Sequence, residues 1–380
     1  MTEREALIAL NMMEDIGPVR VRSLMELLGS ASAILTAGMQ DLVKADGVGP
    51  ELARRIIEQR TCSDPAEEAV RAGKLGARII TQLDDDYPAA LKSIHDPPLA
   101  LYMWGNFTPR DKHAIAIVGT RRCSHYGNMV ADRLAYQLAQ TGFTVVSGLA
   151  RGIDEVAHAG ALKGGGRTLA VLGSAIDKLY PPESEELCER IAANGAVISE
   201  FPLGTAPGRT TFPMRNRIVS GLSMGVVVVE AAYRSGALIT AYEALEQGRA
   251  VFAVPGRIDS QASRGTHQLI KTGARLVEDV DDILQEFEYL FPSERSVKDT
   301  FKARPEVQLS ADEQAVVRAL WEGPADVDML SRRSGLDSAR LSGIMLALEM
   351  KRVVRMLPGR MVELTVDWKP ASTDREQVDR

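Results

Sequence analysis

Six short runs of small and β-branched residues recur through the middle of the chain: Ala114–Val118, Thr144–Ser147, Thr168–Leu172, Ala196–Ser199, Val226–Val229 and Val251–Val254. Helical patterns separate most of them. Runs this apolar suit strands covered on both faces, and strand–helix alternation is the signature of a parallel sheet with helices on either side. In such sheets a ligand binds in the crevice outside the carboxyl ends of the strands. The loops after the runs share a chemistry: VGTRRCS, SGLARGID, LGSAID, SEFPLG, VEAAYRSGALIT and VPGRID. Each carries glycine, a small hydroxyl residue or arginine, and several carry an acid. One such loop is common; six on one edge predict a binding edge.

The first of these junctions, AIAIVGTRRCSHYG over Ala114–Gly127, reads as strand, tight loop and helix. Gly119 lets the backbone turn and Ser124 is a fitting N-cap. Val130, Ala131, Leu134 and Leu138 give the helix one apolar face, and Gly142 stops it. Such a junction aims backbone N–H groups and a helix dipole at one point, which attracts a phosphate. Arg121 and Arg122 add charge beside Gly119 and Thr120. Arg121 also stands where a dinucleotide fingerprint needs its second glycine. The expectation is a phosphate approached from outside, not a buried NAD.

Thr210–Gly221, TTFPMRNRIVSG, is the second informative stretch. Arg209, Arg215 and Arg217 bracket Phe212, and cations interleaved with an exposed ring suit a single strand of nucleic acid. Asn216 can bond a base edge or a loop carbonyl. The competing reading makes Phe212 core and pairs the arginines with Glu200 and Glu230. Gly148 and Arg151, in SGLARGID, join the candidate binding residues. Asp154 and His158 lie one helical turn apart and are expected to meet as a structural pair. Ser235 and Gly236 open a further helix whose amides face an anion. Ser147 and Ser199 stand near strand ends, but no serine sits in a nucleophile elbow, and no Walker A lysine or metal-ligand spacing is present. No cofactor is expected. Glycine turns of this kind also occur in nucleotide-cleaving enzymes, so an enzyme at the same crevice is the alternative.

The flanks read differently. Residues 1 to about 62 are helical, with Asp15–Gly17–Pro18–Val19 and Asp46–Gly47–Val48–Gly49–Pro50 each preceding an amphipathic segment. GVGPELARRI has the form of a helix-hairpin-helix turn, whose amides can meet a nucleic-acid backbone without reading sequence; a ligand-free helical bundle has the same pattern. Arg295–Arg304 reads as a linker, and the tail after Trp368 as unstructured. Between them, Leu309–Trp321, Val327–Ser334 and Ser338–Met350 with the hairpin Val353–Met356/Met361–Leu364 predict a winged helix. There Lys351, Arg352, Arg355 and Arg360 are offset by Asp326, Asp328 and Asp337. A regulator using that module alone is a weaker alternative. The net charge is −6, so a nucleic acid would be held by local basic clusters. Cys62, Cys123 and Cys188 form neither a zinc spacing nor a disulfide framework. With no signal-peptide pattern and no membrane-length apolar run, the expected location is cytoplasmic.

With these loops in view, the chain resembles the DNA-processing protein A (DprA/Smf) family. The resemblance runs from about Ile115 to Val277, on VGTRRCSHYG, SGLARGIDEVAH, TLAVLGSAID with Tyr180–Pro181, ISEFPLG, FPMRNRIVSGL, VVVVEAAYRSGALITA, GRAVFAVPG and SRGTHQLIKTGA. It implies an α/β chain of three parts: a helical SAM/helix-hairpin-helix-like domain (1–65), a Rossmann-like core binding single-stranded DNA (75–291) and a winged helix (305–366). It further implies a homodimer that protects incoming DNA and loads the RecA recombinase in natural transformation and recombination, without catalysis or membrane attachment. DNA contacts are implied on the loop Gly119, Thr120 and Arg121, and on the basic–aromatic loop, here Arg209 and Phe212. Two departures stand out. Many relatives carry lysine after Tyr-Pro, where this chain has Pro182–Glu183, and tryptophan before Phe-Pro, where it has Thr210–Thr211.

Overall fold

The six apolar runs pair side by side in one sheet. In the computed structural model, which describes residues 1–287, 309–320, 325–351, 353–357 and 361–364, they become β3 to β8. Two strands precede them, β1 (Ala77–Thr81) and β2 (Ala100–Gly105). Then follow β3 (Ala114–Val118), β4 (Thr144–Ser147), β5 (Thr168–Val171), β6 (Gly195–Ser199), β7 (Gly225–Val228) and β8 (Ala250–Ala253), with β9 (Arg275–Leu276) at the edge. The order is β1-β2-β6-β5-β4-β3-β7-β8-β9. Every pairing from β6 to β9 is parallel, and β1 and β2 add on antiparallel. β6 and β7 begin a residue earlier than the apolar pattern, at glycines that read as breakers. Both are close approaches: Gly195 lies against the Thr168 carbonyl, and a Cβ on Gly225 would sit 2.8 Å from the Phe252 ring.

Six helices come before the sheet: α1 (Glu3–Met12), α2 (Pro18–Leu28), α3 (Ala31–Thr36), α4 (Met39–Leu42), α5 (Pro50–Gln59) and α6 (Pro65–Lys74). The repeated Gly-Pro pieces start α2 and α5, with Gly17 and Gly49 as N-caps and proline first in the helix, where its missing N–H matters least. Their apolar faces enclose Leu7, Val21, Leu24, Ile34, Leu42 and Ile56. These helices share a core with the sheet: Ile8 and Ala72 pack with Ile79, Ala100 and Tyr102, and the Tyr102 hydroxyl donates to the buried Glu68 carboxylate at 2.8 Å.

The sheet carries α7 (Ala89–Lys92), α8 (His125–Gln140), α9 (Ile153–Lys163), α10 (Glu185–Asn194), α11 (Thr211–Gly221), α12 (Gly236–Glu246), α13 (Arg264–Lys271) and α14 (Val280–Glu286). Ala114, Ala116 and Val118 of β3 share one cluster with Ile218 and Val219 of α11 and Leu238 and Ala241 of α12. The strand period of two turns the equally buried Ile115 and Ile117 to the other face. α11 corrects an expectation, because the stretch read as a basic–aromatic loop is helical. Phe-Pro looks like a turn signal, yet Pro213 falls in the first turn, where no intrahelical N–H bond is lost.

The chain divides into two compact units, Met1–Glu288 and Tyr289–Arg380. The second holds α15 (Ala311–Ala319), α16 (Val327–Ser334) and α17 (Ser338–Met350), with β10 (Ala325–Asp326), β11 (Val354–Leu357) and β12 (Met361–Leu364). The expected hairpin is there, extended by β10 into a three-stranded antiparallel sheet ordered β10-β12-β11. Ser310 starts α15 with a reciprocal cap to Glu313, and Asp326 caps α16. Of the basic residues expected here, Lys351 pairs with Glu313 at 2.7 Å. Arg352, Arg360 and the Arg355 side chain lie outside the described residues, as do Trp321, the expected linker and the tail after Trp368.

Candidate nucleic-acid interface

The strand order reverses at one place. From β3 the chain builds outward through β4, β5 and β6, then returns to the other side of β3 with β7. Loops diverge at such a switch point and leave a crevice beyond the strand ends. Here it is about 410 Å³ and is walled by Gly119–Arg122 after β3, Gly148 and Ala150 after β4, the first turns of α11, and Ser235–Ala237 at the start of α12.

Helices α8 and α12 both start at this edge, and their N-termini differ. At α8 the Ser124 hydroxyl accepts the Gly127 N–H at 3.1 Å, as the expected N-cap. The same residue binds Glu230 twice: its N–H donates to Oε2 at 2.9 Å and its hydroxyl to Oε1 at 2.5 Å. Gly127 admits this carboxylate, since a Cβ there would collide with it. The Thr120 N–H is also taken, by the Glu230 carbonyl at 2.8 Å. The phosphate expected at this helix start is thus replaced by the protein's own anion, and Ser124 is a cap rather than a crevice residue. At α12 the N-cap Ser235 makes no side-chain cap bond. Its Oγ is enclosed without a partner among the described residues, and Gly236 and Ala237 line the crevice beside it. Of these two, the open N-terminus is that of α12.

Beneath the crevice lies a buried polar frame. The Asp154 carboxylate accepts N–H bonds from Gly148 at 3.2 Å and Ala150 at 3.4 Å, and a further one from Gly119. Between the first two donors Leu149 is held at φ 53°, a left-handed conformation that disfavours leucine by about 1–2 kcal/mol. Burial pushes Asp154 up to about 6, against the pull of Arg215 and the three amides. Arg215, also buried, donates to the Gly148 carbonyl at 2.5 Å, to the Val171 carbonyl and to Asn216 Oδ1 at 3.2 Å. Burial lowers it to about 10, so it stays a cation. One guanidinium therefore ties β4, β5 and α11 together.

Asp154 and His158 do not meet as expected. The Thr168 hydroxyl donates to the Val145 carbonyl at 2.7 Å, so it accepts from His158 Nδ1 at 2.7 Å. That fixes the imidazole as the neutral Nδ1–H tautomer, with Nε2 buried and unpartnered among the described residues. Burial, with Arg215 nearby, drives its pKa down to about 3.

Of the expected site residues, Gly119, Thr120, Arg121, Gly148, Phe212, Arg215, Asn216, Ser235 and Gly236 line one crevice. Four do not. Ser124 belongs to the α8 cap. Arg217 is buried and grips Glu200 with two bonds of 2.6 and 2.7 Å, with Asp96 at 2.8 Å; its charge is neutralised internally. Arg151 is exposed and pairs with Glu183 at 2.6 Å, the acid that stands after Tyr180–Pro181–Pro182. Arg209 is exposed outside the crevice. Among the described residues no acid pairs with Arg121, Arg122 or Arg209. Phe212 is neither core nor open: it is half-buried, packed on Gly173, 5.8 Å from the Tyr180 ring, and overlaid by the Arg121 guanidinium 4.7 Å from its centroid. Asp154 and Tyr180 were missed as parts of the site. Asp154 was legible only as a partner of His158, and Tyr180 only as half of a Tyr-Pro motif.

Residues 78–288 match the family DNA recombination-mediator protein A. Residues 301–360 match the DprA winged helix domain, and residues 7–60 a SAM-like helix-hairpin-helix tandem. The chain is 32% identical to Protein Smf of Synechocystis sp., over 94% of this chain and 98% of that protein. It is 43% identical to the DNA processing protein DprA of Bacillus subtilis, over 67% and 86%. Its fold matches the X-ray structure of DNA processing protein A from Streptococcus pneumoniae with a TM-score of 0.65 at 33% identity, covering 75% of this chain and 98% of the other. A second match, at TM-score 0.51 and 29% identity, covers 56% of this chain and 96% of a structure of the Helicobacter pylori protein described for its single-stranded DNA binding mode. Among the described residues no helix is long and apolar enough to cross a membrane.

Proposed function

Because this chain belongs to the DNA recombination-mediator protein A (DprA/Smf) family, we propose that it binds single-stranded DNA along the switch-point crevice, protects incoming strands and loads RecA onto them in natural transformation and recombination. The observation that carries the reading is the pairing of unneutralised cations, Arg121 and Arg122, with the open start of α12 across one crevice. Phosphates suit both. A crevice of about 410 Å³ lies in the small-ligand range, the scale of a nucleotide of a single strand. Gly119, Thr120, Gly148, Arg215 and Asn216 shape the wall more than they offer donors, because their polar groups largely serve the frame.

The role is binding without chemistry. Asp154 is bound by amides, His158 is buried and neutral, and Glu230 caps α8, so these three groups, each of a kind suited to acid–base work, already have structural tasks. The competing reading, cleavage of a nucleotide in the same crevice, is tested by incubating the protein with nucleotides and assaying free base; release above the buffer rate would favour it. As a homodimer with two crevices on one strand, the protein would gain effective concentration, and sedimentation at micromolar concentration is expected to show the dimer. The RecA step is tested by RecA assembly on protein-coated single strands, which this protein should accelerate. The winged helix is assigned an accessory part: removing residues after Arg304 should leave most of the affinity for a short oligonucleotide. The direct test of the crevice is single-strand affinity across several salt concentrations. Arg121→Ala is expected to flatten the salt dependence by about one counterion; unchanged affinity and slope in the folded variant would place the DNA elsewhere.

A further inference from the structure

One ion pair stands beside the crevice without lining it. Arg151 Nε donates to Glu183 Oε1 at 2.6 Å, and each side chain is 54% exposed. The two residues arrive on different loops. Arg151 follows Ala150, which lines the crevice. The next residue, Gly152, is pressed onto the loop after β3: an added Cβ would lie 2.5 Å from the Thr120 carbonyl oxygen and 2.8 Å from that of Arg121. The Ile153 N–H also donates to the Thr120 carbonyl, at 3.3 Å. Glu183 comes three residues after Tyr180, whose ring packs on Phe212 at 5.8 Å. It precedes the buried Ser184, whose hydroxyl donates to Glu155 at 2.6 Å. Both backbones are thus fixed against the crevice loops while both charged ends stay in water. The guanidinium holds the Glu183 carboxyl below the ordinary carboxylate range, so the pair is charged at neutral pH. An exposed pair of this kind is weak, because water and salt screen it and two long side chains must be ordered to make it. A phosphate offers the same guanidinium a bidentate, charge-assisted partner.

We infer that Glu183 is an internal competitor of the strand: it occupies Arg151 in the free protein, a phosphate takes the guanidinium over when a strand enters, and the acid thereby sets the affinity of the crevice. The inference rests on the crevice being the single-strand site. Arg151 gains a phosphate only by giving up a carboxylate, and the carboxylate left behind draws a cation from solution. The exchange releases no net counterion. While Glu183 stands opposite, Arg151 therefore adds little to affinity and almost nothing to salt dependence. Arg121 and Arg122, with no acid partner among the described residues, carry no such charge. The pair acts as a brake on binding, released by loss of one negative charge.

The test is a double-mutant cycle on affinity for a short oligothymidylate at several salt concentrations. It uses wild type, Glu183→Gln, Arg151→Ala, the double variant and Arg121→Ala, each checked for folding by circular dichroism; the paired side chains are exposed, so their variants should fold. Glu183→Gln keeps the shape of the side chain and removes its charge. It should bind about two- to fivefold more tightly than wild type, the scale of an exposed pair, with a salt dependence steeper by about one counterion. Arg151→Ala should cost less than about twofold in wild type and should cancel most of the gain in Glu183→Gln. A gain of the same size in the double variant would mean that Glu183 acts by general repulsion and not through Arg151. No gain in Glu183→Gln, or a many-fold loss in Arg151→Ala alone, would mean that the acid does not compete. Each of these results overturns the inference and leaves the crevice as the DNA site if Arg121→Ala still flattens the salt slope. Wild-type affinity and slope in Arg121→Ala would overturn the crevice reading, and the inference with it.

Discussion

The starts of α8 and α12 stand on either side of the sheet's switch point, and the sequence writes them alike: a strand, a glycine-bearing loop, a serine and a helix. In the folded chain they are opposites. Ser124 and Glu230 close the α8 start with a side-chain anion, whereas Ser235 leaves the α12 start open to the crevice. A helix N-terminus attracts negative charge, but nothing local says whether that charge belongs to the protein or to a ligand. The closed side continues inward through Arg215, Asp154 and His158 and across to the Arg217–Glu200–Asp96 group. The open side carries Arg121, Arg122 and the α12 amides. The closed side should therefore answer in stability when altered, and the open side in binding.

The largest expected effect lies deepest in the closed side. Arg217→Met leaves Glu200 buried without its cation, and breaking such a pair typically destabilises by about 3–5 kcal/mol. Denaturant unfolding should show a loss of that order, while the protein still folded keeps its single-strand affinity; a large loss of affinity in folded protein would move Arg217 to the open side. Next comes Glu230→Ala, which strips the anion from α8. With Ser124 and the helix amides left short of an acceptor, a loss of roughly 2 kcal/mol is expected in the same experiment. Single-strand affinity should not fall, because a negative charge has left the crevice edge.

His158 gives the closed side a signature in pH. Its folded pKa is lowered by burial to about 3 from an ordinary 6.5. A lowered pKa means that the unfolded chain binds the proton first, so the stability due to the neutral buried ring is complete above pH 6.5 and is lost as pH falls toward 3. Between pH 7 and pH 5 the loss amounts to about 2 kcal/mol. Asp154, raised to about 6 by burial, acts in the opposite sense: its contribution is present below pH 3.8 and fades as pH rises through 6. Comparing wild type with His158→Gln cancels Asp154. The stability advantage of wild type over the variant should shrink by about 2 kcal/mol from pH 7 to pH 5; an advantage that stays constant would mean the ring is not held neutral.

Much of this was legible in the chain and some was not, for reasons that can be named. The sheet was readable because β3 to β8 are covered on both faces, which forces near-continuous apolar runs; β3 and β4 match the pattern to the residue. The Ser124 cap was readable because capping is local. Its partner Glu230 was not, being 106 residues away. Helix α11 was hidden by Pro213, whose effect depends on which helical position it occupies. Asp154 and His158 lie one turn apart, but turn spacing does not decide direction: Asp154 faces back to the amides before its own helix, and His158 faces Thr168. Phe212 and Arg121 were each singled out, yet their stacking joins loops far apart in sequence and could come only from the folded chain.

The comparison is tested most directly by one pair of variants made at the two serines, assayed together for single-strand affinity at one low salt concentration. Ser124→Ala removes the α8 cap and should lower stability by about 1 kcal/mol with affinity within about twofold of wild type. Ser235→Asp places a carboxylate at the open α12 start, where it repels phosphate; because the serine hydroxyl it replaces is enclosed, folding is checked by circular dichroism before affinity is read. Its affinity should fall roughly tenfold or more, the scale of a like charge set against a bound anion. Wild-type affinity in Ser235→Asp together with a large loss in Ser124→Ala would put the phosphate at α8 after all and contradict the account.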